Sequence, residues 1–485
     1  MNLLISTIQG IGWTSISRFL YLTIGFTITS ILAHLLNPDD FGLLAMVLVF
    51  TNFAAIFKDL GLSTAIIQKK DLSDVELSSC FWLNILIGSF ITLSLILFSP
   101  LIARFYNEKR LIPIIIAIST NFFISSLGST HSALLTKKLN FKPLAIIDIL
   151  TITIAGISAI ILAIIGFGVW SLIFRQIILT SLTVLLLWHY SNWRPKFILN
   201  WKKSKKLFNF GLNLTGFSFI NYFARNLDNL LIGKYWGATL LGYYNLAYEL
   251  LLFPLSNIAT VIGKVIFPSM SLVQEDKSKA RSIYMNTTKY VSAISFPMMI
   301  GIFVCAPHLV NVFFGHQWER SIFLIQILSL VGFIQSIVTT IGWIYQSQGR
   351  PDIMLKWSVV TALVLGIAFF IGVKWNIEGM AIAYAIAAFI LALPNFIIPF
   401  RLINLKFSIF IKQFKSTFLS AILMGFSIEI IRYFLLNYLK IGDLWILIAL
   451  VISGIIIYGS LLYFMEKDLY IKSIDTLKLV LSKKE

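Results

Sequence analysis

The sequence predicts an all-α polytopic membrane protein of about 14 transmembrane helices. Three observations support this class: 58% of the 485 residues are hydrophobic, only 12% are charged, and long apolar runs recur along the whole chain. A soluble domain carries about a quarter charged residues. Because the stretches between the apolar runs are short, we expect no separate soluble domain.

The apolar runs are long enough for single membrane crossings, since a helix needs about 20 apolar residues to cross the hydrocarbon. The predicted spans are 11–33, 41–64, 78–103, 111–135, 144–165, 168–190, 208–233, 240–267, 285–308, 321–347, 353–374, 378–400, 408–435 and 442–465. The connections near Gly166 and Asn376 are short enough for the neighbouring spans to merge.

The basic residues predict the orientation of these spans. Of the 39 Lys and Arg residues, 25 fall on the side that holds both termini, 7 on the other side and 7 within spans. Cytoplasmic loops carry the excess of Lys and Arg. We therefore expect both termini in the cytoplasm, and we attribute the net charge of +18 to topology rather than to a nucleic-acid partner.

The chain resembles itself at an offset of roughly 200 residues. "HLLNPDDFGLL" from His34 matches "KYWGATLLGYY" from Lys234, which aligns Gly42 with Gly242, and "FKPLAII" from Phe141 matches "GRPDIML" further on. A repeat of six spans gives parallel halves about an axis along the membrane normal. We predict an N-lobe at 1–200, a C-lobe at 201–403, and two extra helices with a cytoplasmic tail at 404–485.

Charged and polar residues within the spans predict a polar site. A charge at the bilayer midplane costs about 2.5–3.5 kcal/mol on insertion scales, so such residues should face water or each other. Helix 1 carries Arg18, and helix 7 contains "NYFARNLDNLLI" with Arg225. Anchored on the aligned glycines, the two arginines lie on equivalent helix faces. Other candidates on helices 2, 7 and 8 are Asn52, Asp59, Asn221, Asp228, Asn229 and Glu249.

We expect helices 1 and 7 to line a shared cavity in which Arg18 and Arg225 hold phosphate, because the guanidinium is always charged and donates bidentately. Structural roles compete with this interpretation. Arg225 and Asp228 could neutralise each other, Arg18 could reach the cytoplasmic surface, and Glu249 could pair with Arg225. Lys58 with Asp59, and Asp148, fit interface anchors.

The sequence carries no motif for a cofactor, a metal or catalysis. It lacks a phosphate-binding G-x-x-x-x-G-K-[ST] motif, a His/Cys cluster with metal spacing and a nucleophile elbow, so we expect neither an enzyme nor a cofactor. "NPDD" after the first span is interpreted as a turn. Cys80 and Cys305 lie in apolar runs and are predicted to be core residues. The N-terminal segment lacks a cleavage site and is expected to be retained.

Two stretches resemble polysaccharide flippases, the polysaccharide transporter branch of the multidrug/oligosaccharidyl-lipid/polysaccharide exporter superfamily. They are "ILAHLLNPDDFGLLAMVLVFTNFAAIFKDLGLSTAIIQKKDLS" at 31–73 and "RNLDNLLIGKYWGATLLGYYNLAYELLLFPLSNIATVIGKVIFPSMSLVQED" at 225–276. The similarity runs along the whole chain, and the colanic-acid and teichuronic-acid exporter type is the most similar subgroup.

This resemblance implies a V-shaped bundle of two six-helix lobes, with helices 1, 2, 7 and 8 around a cavity that opens alternately inward and outward. The implied cargo is undecaprenyl-pyrophosphate-linked oligosaccharide, moved from the inner to the outer leaflet of the bacterial cytoplasmic (inner) membrane for exopolysaccharide, capsule or lipopolysaccharide O-antigen. Carried onto this chain, the pyrophosphate-binding cations are Arg18 and Arg225. Asp228 and Glu249 are candidates for coupling to an ion, H⁺ or Na⁺, and a polysaccharide polymerase is an implied partner.

Two other functions compete with flipping. A drug or cation antiporter of the same superfamily would need acids in the N-lobe cavity, where few are found beyond Asp59. A polymerase, or a non-transporting partner in polysaccharide assembly, is the second alternative. Such polymerases carry a large external loop rich in Arg, which this chain lacks.

Overall fold

The computed structural model describes residues 3–58, 61–69, 72–198, 222, 226–251, 262–263, 266–439 and 441–467, and for residues 3–12, 15 and 16 it describes the backbone only. Regular structure in these residues is helical throughout, which confirms the predicted all-α class. The chain divides into two compact units, Met1–Gly242 and Tyr243–Glu485. The predicted lobe boundary at residue 200 stays a prediction, because it falls at the edge of residues outside the described ranges.

Among the described residues, the first unit contains seven helices and the start of an eighth helical segment. They are α1 (Leu3–Leu35), α2 (Pro38–Ala55), α3 (Leu62–Gln68), α4 (Asp74–Tyr106), α5 (Leu111–Lys137), α6 (Phe141–Ile164), α7 (Val169–Tyr190) and the helical residues 226–251, which we call α8. Gly237 within α8 has φ +82°, so α8 is not one regular helix but two helical parts that meet there. This break lies between the predicted spans 208–233 and 240–267.

The second unit holds the end of α8 and the remaining helices. They are α9 (Lys277–Phe313), α10 (Ser321–Val338), α11 (Ile341–Ser347), α12 (Pro351–Gly372), α13 (Asn376–Phe400), α14 (Phe407–Lys412), α15 (Lys415–Phe434) and α16 (Asp443–Met465). Tyr284, Phe400 and Phe410 pack in one large aromatic cluster of this unit, with Tyr284 and Phe410 stacked 5.9 Å apart.

Within the described residues, eleven candidate spans are long and apolar enough to cross a membrane, so the chain is a multi-pass membrane protein. One of them, Pro351–Ile403, contains both α12 and α13. Of the predicted span 208–233 only residues 222 and 226–233 are described, and the predicted span 240–267 is interrupted by residues outside the described ranges. The count of fourteen therefore stays a prediction.

Helix starts follow capping chemistry written in the sequence. "NPDD" closes a capping box at the start of α2, where the backbone N–H of Asn37 donates to the Asp40 carboxylate, 3.2 Å away. The segment predicted as a turn is thus the N-terminal cap of α2, and Pro38, Asp39 and Asp40 are already helical. Ser73 and Glu76 form the same arrangement at α4. Each box satisfies backbone N–H groups that a helix start leaves without partners.

The two short connections keep neighbouring helices separate rather than merging them. Gly166 and Gly168 have φ +91° and +52° between α6 and α7, and Asn376 has φ +66° between α12 and α13. Left-handed backbone ends a right-handed helix, because the N–H groups that follow can no longer donate to the carbonyls four residues before them.

Three predicted spans are not continuous helices. The span 41–64 ends as α2 at Ala55, and α3 starts beyond Gly61, whose φ of +73° breaks the helix. The span 321–347 divides into α10 and α11 at Thr340, whose hydroxyl bonds back to the Ile337 carbonyl at 2.7 Å. The span 408–435 divides into α14 and α15. Apolar content alone does not register these breaks.

The cores pack closely, as expected for membrane helices. Ile28 and Leu32 of α1 pack with Ile152 and Ala159 of α6. Cys80 and Cys305 are both buried and free in such cores, which confirms their prediction as core residues. Since lipid is as apolar as these side chains, the contact itself, rather than the hydrophobic effect, holds the helices together.

Candidate functional site

Arg18 occupies an exposed position on α1, a helix that is otherwise largely apolar. The helix is fixed against α6 through the core around Ile28 and Leu32, about three turns further along. The position of Arg18 is thus set by a packed helix rather than by a loop. Its side chain remains accessible to a ligand.

Arg18 interacts electrostatically with Asp148 on α6, since the guanidinium charge acts on the Asp148 carboxylate. Close by, the Lys142 ammonium lies over the Trp13 ring, 5.6 Å from its centroid. Sequence reasoning placed Asp148 among the interface anchors and missed this relation. The signal was available only from tertiary structure, because the two residues lie on different helices. A cation tempered by one acid can bind a phosphate and still release it.

Asn52 on α2 is also exposed. The preceding residue, Thr51, is buried and donates to the Val47 carbonyl at 3.2 Å. One face of α2 is therefore packed, and the next position presents an amide that can bond a polar group. This matches the predicted polar lining in residue type and exposure only.

Asp228 and Asn229 on α8 are buried rather than exposed, at 1% and 8% of full accessibility. The Asn229 backbone N–H donates to the Asp228 carboxylate at 2.8 Å. Earlier on this helical face, the Tyr222 hydroxyl donates to the Val49 carbonyl of α2. In the segment "NYFARNLDNLLI", the described polar residues Asp228 and Asn229 are therefore buried against protein. A coupling role for either residue stays a prediction.

Glu249 lies near the end of α8, in the second unit, and is exposed. It accepts a hydrogen bond from the Asn245 amide at 3.2 Å. The ring of the preceding residue, Tyr248, packs against Tyr244 and Tyr384. A coupling role for Glu249 stays a prediction.

Three predicted site residues, Asp59, Asn221 and Arg225, lie outside the described residues. The expected meeting of Arg18 and Arg225 in one cavity stays a prediction for that reason. Among the described residues, no group of three His, Cys, Asp or Glu side chains could hold a metal ion.

The two glycines that the sequence repeat aligns, Gly42 and Gly242, form a close contact between α2 and α8. A Cβ on Gly42 would overlap the Ala238 carbonyl, and a Cβ on Gly242 would overlap the Pro38 carbonyl. The contact is reciprocal: each glycine faces the residue four positions before the other glycine. Small residues four apart let helix backbones approach closely in membranes. We call this contact the glycine crossing.

Polar groups surround the glycine crossing. Asp39 accepts from the Thr239 hydroxyl at 3.1 Å and from Arg110 at 2.7 Å, and Arg110 also donates to Glu108 at 2.7 Å. The hydrogen bond from Arg110 lowers the pKa of Glu108 below its ordinary 4.5. The two carboxylates raise the pKa of Arg110. These ion pairs tie the start of α2 to the loop after α4.

Comparisons with known proteins bear on the family of the chain. A family model with the description "Polysaccharide biosynthesis protein" matches residues 31–323, more than half of the chain. This match includes the whole of both quoted stretches, 31–73 and 225–276.

Curated relatives match over most of their length. The chain is 28% identical to the teichuronic acid biosynthesis protein TuaB of Bacillus subtilis (strain 168), over 86% of this chain and 87% of that protein. It is 29% identical to the lipopolysaccharide biosynthesis protein WzxC of Escherichia coli (strain K12), over 77% and 76%. The succinoglycan biosynthesis transport protein ExoT of Rhizobium meliloti (strain 1021) is 23% identical over 73% of this chain and 72% of that protein.

Solved structures show the same fold. The lipid II flippase MurJ in an inward closed conformation aligns with a TM-score of 0.75 at 18% identity, over 94% of this chain and 99% of that chain. An inward-facing multidrug transporter of the MATE family aligns with a TM-score of 0.65 at 15% identity, over 81% and 98%. At such low identity these likenesses concern the fold and not the cargo.

Proposed function

The chain belongs to the family of polysaccharide biosynthesis proteins, and from this premise we propose that it is a flippase for undecaprenyl-pyrophosphate-linked oligosaccharide. It moves this cargo from the inner to the outer leaflet of the bacterial cytoplasmic membrane by alternating access. The family match, on a chain whose described residues contain eleven candidate membrane spans, is the observation that carries the proposal. Relatives named for teichuronic acid and lipopolysaccharide biosynthesis support it.

The physical task explains why such a protein is required. The cargo's head must cross roughly 30 Å of hydrocarbon. Transfer of its charge into that medium unaided would cost on the order of tens of kcal/mol. A route with water, amides and fixed cations replaces most of the lost hydration, while the polyprenyl tail stays in lipid.

In this mechanism Arg18 and Arg225 hold the pyrophosphate. Arg18 is suited to the role because it is exposed on a packed helix and its charge is tempered by Asp148. Moderate affinity matters, because a site that holds the head too tightly would not release it outside. Bidentate donation by guanidinium suits phosphate oxygens.

The remaining predicted residues serve the sugar and the coupling ion. Asn52 and Asn221 offer amides for hydroxyl groups, while Asp59 and Glu249 are acids available for H⁺ or Na⁺. Asp228 and Asn229, which are buried in this structure, would serve the coupling ion and the sugar only in a conformation that exposes them. Both termini lie in the cytoplasm, as the 25 to 7 distribution of basic loop residues indicates. A polysaccharide polymerase on the outer face receives the flipped cargo.

Deletion of the gene tests the proposal directly. We expect lipid-linked oligosaccharide to accumulate on the cytoplasmic side and surface polysaccharide to be lost. Reintroduction of the wild-type gene should reverse both effects. Extraction of polyprenyl-linked sugars, followed by mass spectrometry, measures the accumulation and identifies the repeat unit. Unchanged lipid-linked sugars combined with new sensitivity to cationic drugs would instead indicate the antiporter alternative.

A further inference from the structure

An apolar groove lies in the first unit. Its volume is about 870 Å³, and it is lined by α2, α4, Phe57 and Leu230 of α8. Among its lining residues only Ser94 is polar. The groove offers a ligand almost nothing but hydrocarbon contact, so its occupant must be apolar over most of its length.

The groove follows α4 for nearly the thickness of a membrane. Its lining runs from Leu86 to Phe105, about 28 Å along the helix axis at 1.5 Å per residue. The hydrocarbon is about 30 Å thick, so one leaflet accounts for about half of this length. An acyl chain of a bilayer phospholipid stays within one leaflet, whereas a long polyisoprenyl chain can extend along the whole groove.

The groove has a buried floor and an open side. Ile91, Leu95 and Ile102 are buried, while Phe90 and Leu101 of the same helix are 72% and 59% exposed. Exposed apolar side chains of a membrane-crossing helix meet lipid. A chain can therefore enter from the bilayer without passing through the protein.

A cation stands at one end of the groove. The Lys234 ammonium lies over the Phe105 ring, 4.8 Å from its centroid, and donates to the Phe105 carbonyl. Neither contact neutralises its charge. Tyr235 and Trp236, which follow it, are exposed, and Tyr and Trp mark the level of the lipid headgroups. A lipid whose tail lies in the groove would hold its headgroup beside Lys234.

We propose that the apolar groove binds the polyisoprenyl chain of an anionic lipid, with Lys234 facing the phosphate. This inference rests on the proposed function, since it assigns a place to the tail of the proposed cargo. Acyl chains are as apolar as the groove, so the hydrophobic effect does not distinguish them from a polyisoprenyl chain. Selectivity comes from chain length and from the cation.

Photochemical cross-linking tests the groove directly. The full-length protein, with benzoylphenylalanine at Leu101, is placed in nanodiscs that contain radiolabelled undecaprenyl phosphate. Ile161, 51% exposed near the corresponding end of α6, provides the matched control position. We expect several-fold more label at 101 than at 161. Equal labelling would overturn the proposal.

Competition identifies the ligand chemistry. Excess unlabelled undecaprenyl phosphate should remove the label at 101, whereas equal phosphatidylglycerol should leave most of it. If phosphatidylglycerol competes as well, the groove is an ordinary anionic-lipid site and the assignment to a polyisoprenyl chain is wrong. If inorganic phosphate competes equally, the tail does not contribute and the proposal fails.

Two pairs of substitutions, each a test variant with its control, test the apolar lining of the groove and the cation at its end. Ser94→Trp fills it, while Leu93→Trp on the exposed neighbour does not, so only the first should abolish labelling. Lys234→Gln should weaken labelling about fivefold, the typical contribution of one basic residue at an anionic surface. Lys109→Gln, an exposed lysine just beyond α4, should have little effect. Equal effects within either pair would contradict the assignment.

Failure of this inference and failure of the proposed function are distinguishable. The binding assay does not require transport, and the deletion experiment does not require the groove. If cargo accumulates in the deletion strain but 101 and 161 label equally, the chain is a flippase whose tail site lies elsewhere.

Discussion

Arg18 is the residue at which charge, helix position and the proposed chemistry meet. Its exposure on α1 leaves it able to bind, and Asp148 tempers its charge from α6. In the proposed mechanism, an acid beside the guanidinium weakens its hold on the pyrophosphate and so favours release. The pair therefore suits transfer better than storage.

Arg18→Ala should remove the charge-assisted contacts to pyrophosphate. Such contacts contribute about 1.5–3 kcal/mol, so we expect the transport rate to decrease by a factor of about 10 to 100. Arg18→Lys should keep part of it, because the charge remains while the planar fork is lost. Surface polysaccharide in complemented deletion strains measures the effect, and Arg225→Ala should behave alike.

Leu20→Ala, at an exposed apolar neighbour of Arg18, is the control and should transport normally. Cysteine at position 18 should react with a water-soluble maleimide more readily than cysteine at position 20. Normal polysaccharide from Arg18→Ala, or equal labelling at the two positions, would remove Arg18 from the site.

Glu108 and Arg110 make a pH-dependent contribution to stability. The pKa of Glu108 lies below 4.5, so the stabilisation is complete above pH 4.5 and is lost as the pH falls through the lower pKa of the folded protein. Arg110→Gln should cost at most about 1 kcal/mol above pH 4.5, because the pair is partly exposed. The difference in unfolding midpoint from wild type should then shrink on acidification.

Thermal unfolding in detergent across this pH range checks the expectation. Lys109→Gln, the adjacent exposed lysine, should show no such trend. A difference for Arg110→Gln that stays constant with pH would mean that Glu108 is not its stabilising partner.

At the scale of elements, the glycine crossing fixes α2 against α8. Its reciprocal geometry arises because Pro38 and Ala238 stand four residues before Gly42 and Gly242, one helical turn away. Asp39 and Thr239 add a hydrogen bond beside the contact. Backbone thus meets backbone without intervening side chains, and any added atom must separate the helices.

Gly42→Ala should destabilise the protein by about 1–3 kcal/mol, the usual cost of inserting atoms into a packed interior. Gly242→Ala should do the same for the same reason. Gly301→Ala in α9 is the control, because no atom lies near its added methyl group. That variant should be neutral or stabilised by up to about 1 kcal/mol from helix propensity.

Unfolding midpoints of the three purified variants in the same detergent supply the comparison. If the unfolding midpoint of Gly42→Ala equals that of Gly301→Ala and is not below that of wild type, α2 and α8 do not approach as closely as the structure shows.

At the scale of the whole molecule, the chain is a multi-pass membrane protein with the fold of lipid and drug transporters. Its orientation rests on the loop charges alone, with 25 basic residues on one side and 7 on the other. Lys109 and Lys138 lie in successive loops, at opposite ends of α5, and both are exposed. They offer a direct test of orientation.

Lys109→Cys should react with a membrane-impermeant maleimide in intact cells, and Lys138→Cys only after the inner membrane is permeabilised. The background should come from a variant in which the buried native cysteines, Cys80 and Cys305, are replaced. The reverse pattern would place the termini outside and invert the proposed direction of transport.

The sequence by itself determined the class, most spans and the family. Apolar runs are a local property, so α4, α5 and α6 follow from composition, and the capping boxes at Asn37 and Ser73 follow from neighbouring residues. The alignment of Gly42 with Gly242 was visible as a repeat, but not that the two glycines touch. The breaks at Gly61 and Thr340 escaped because apolar content continues through them.

Only the tertiary structure decided which residues meet. It brought Asp148 to Arg18, buried Asp228 and Asn229, and placed Lys234 at the end of the apolar groove. In a helix surrounded by lipid and apolar protein, hydrophobic periodicity does not distinguish the buried face from the lipid-facing one, because both surroundings accept the same side chains. Which face of a membrane helix is buried therefore depends on packing partners that are distant in sequence.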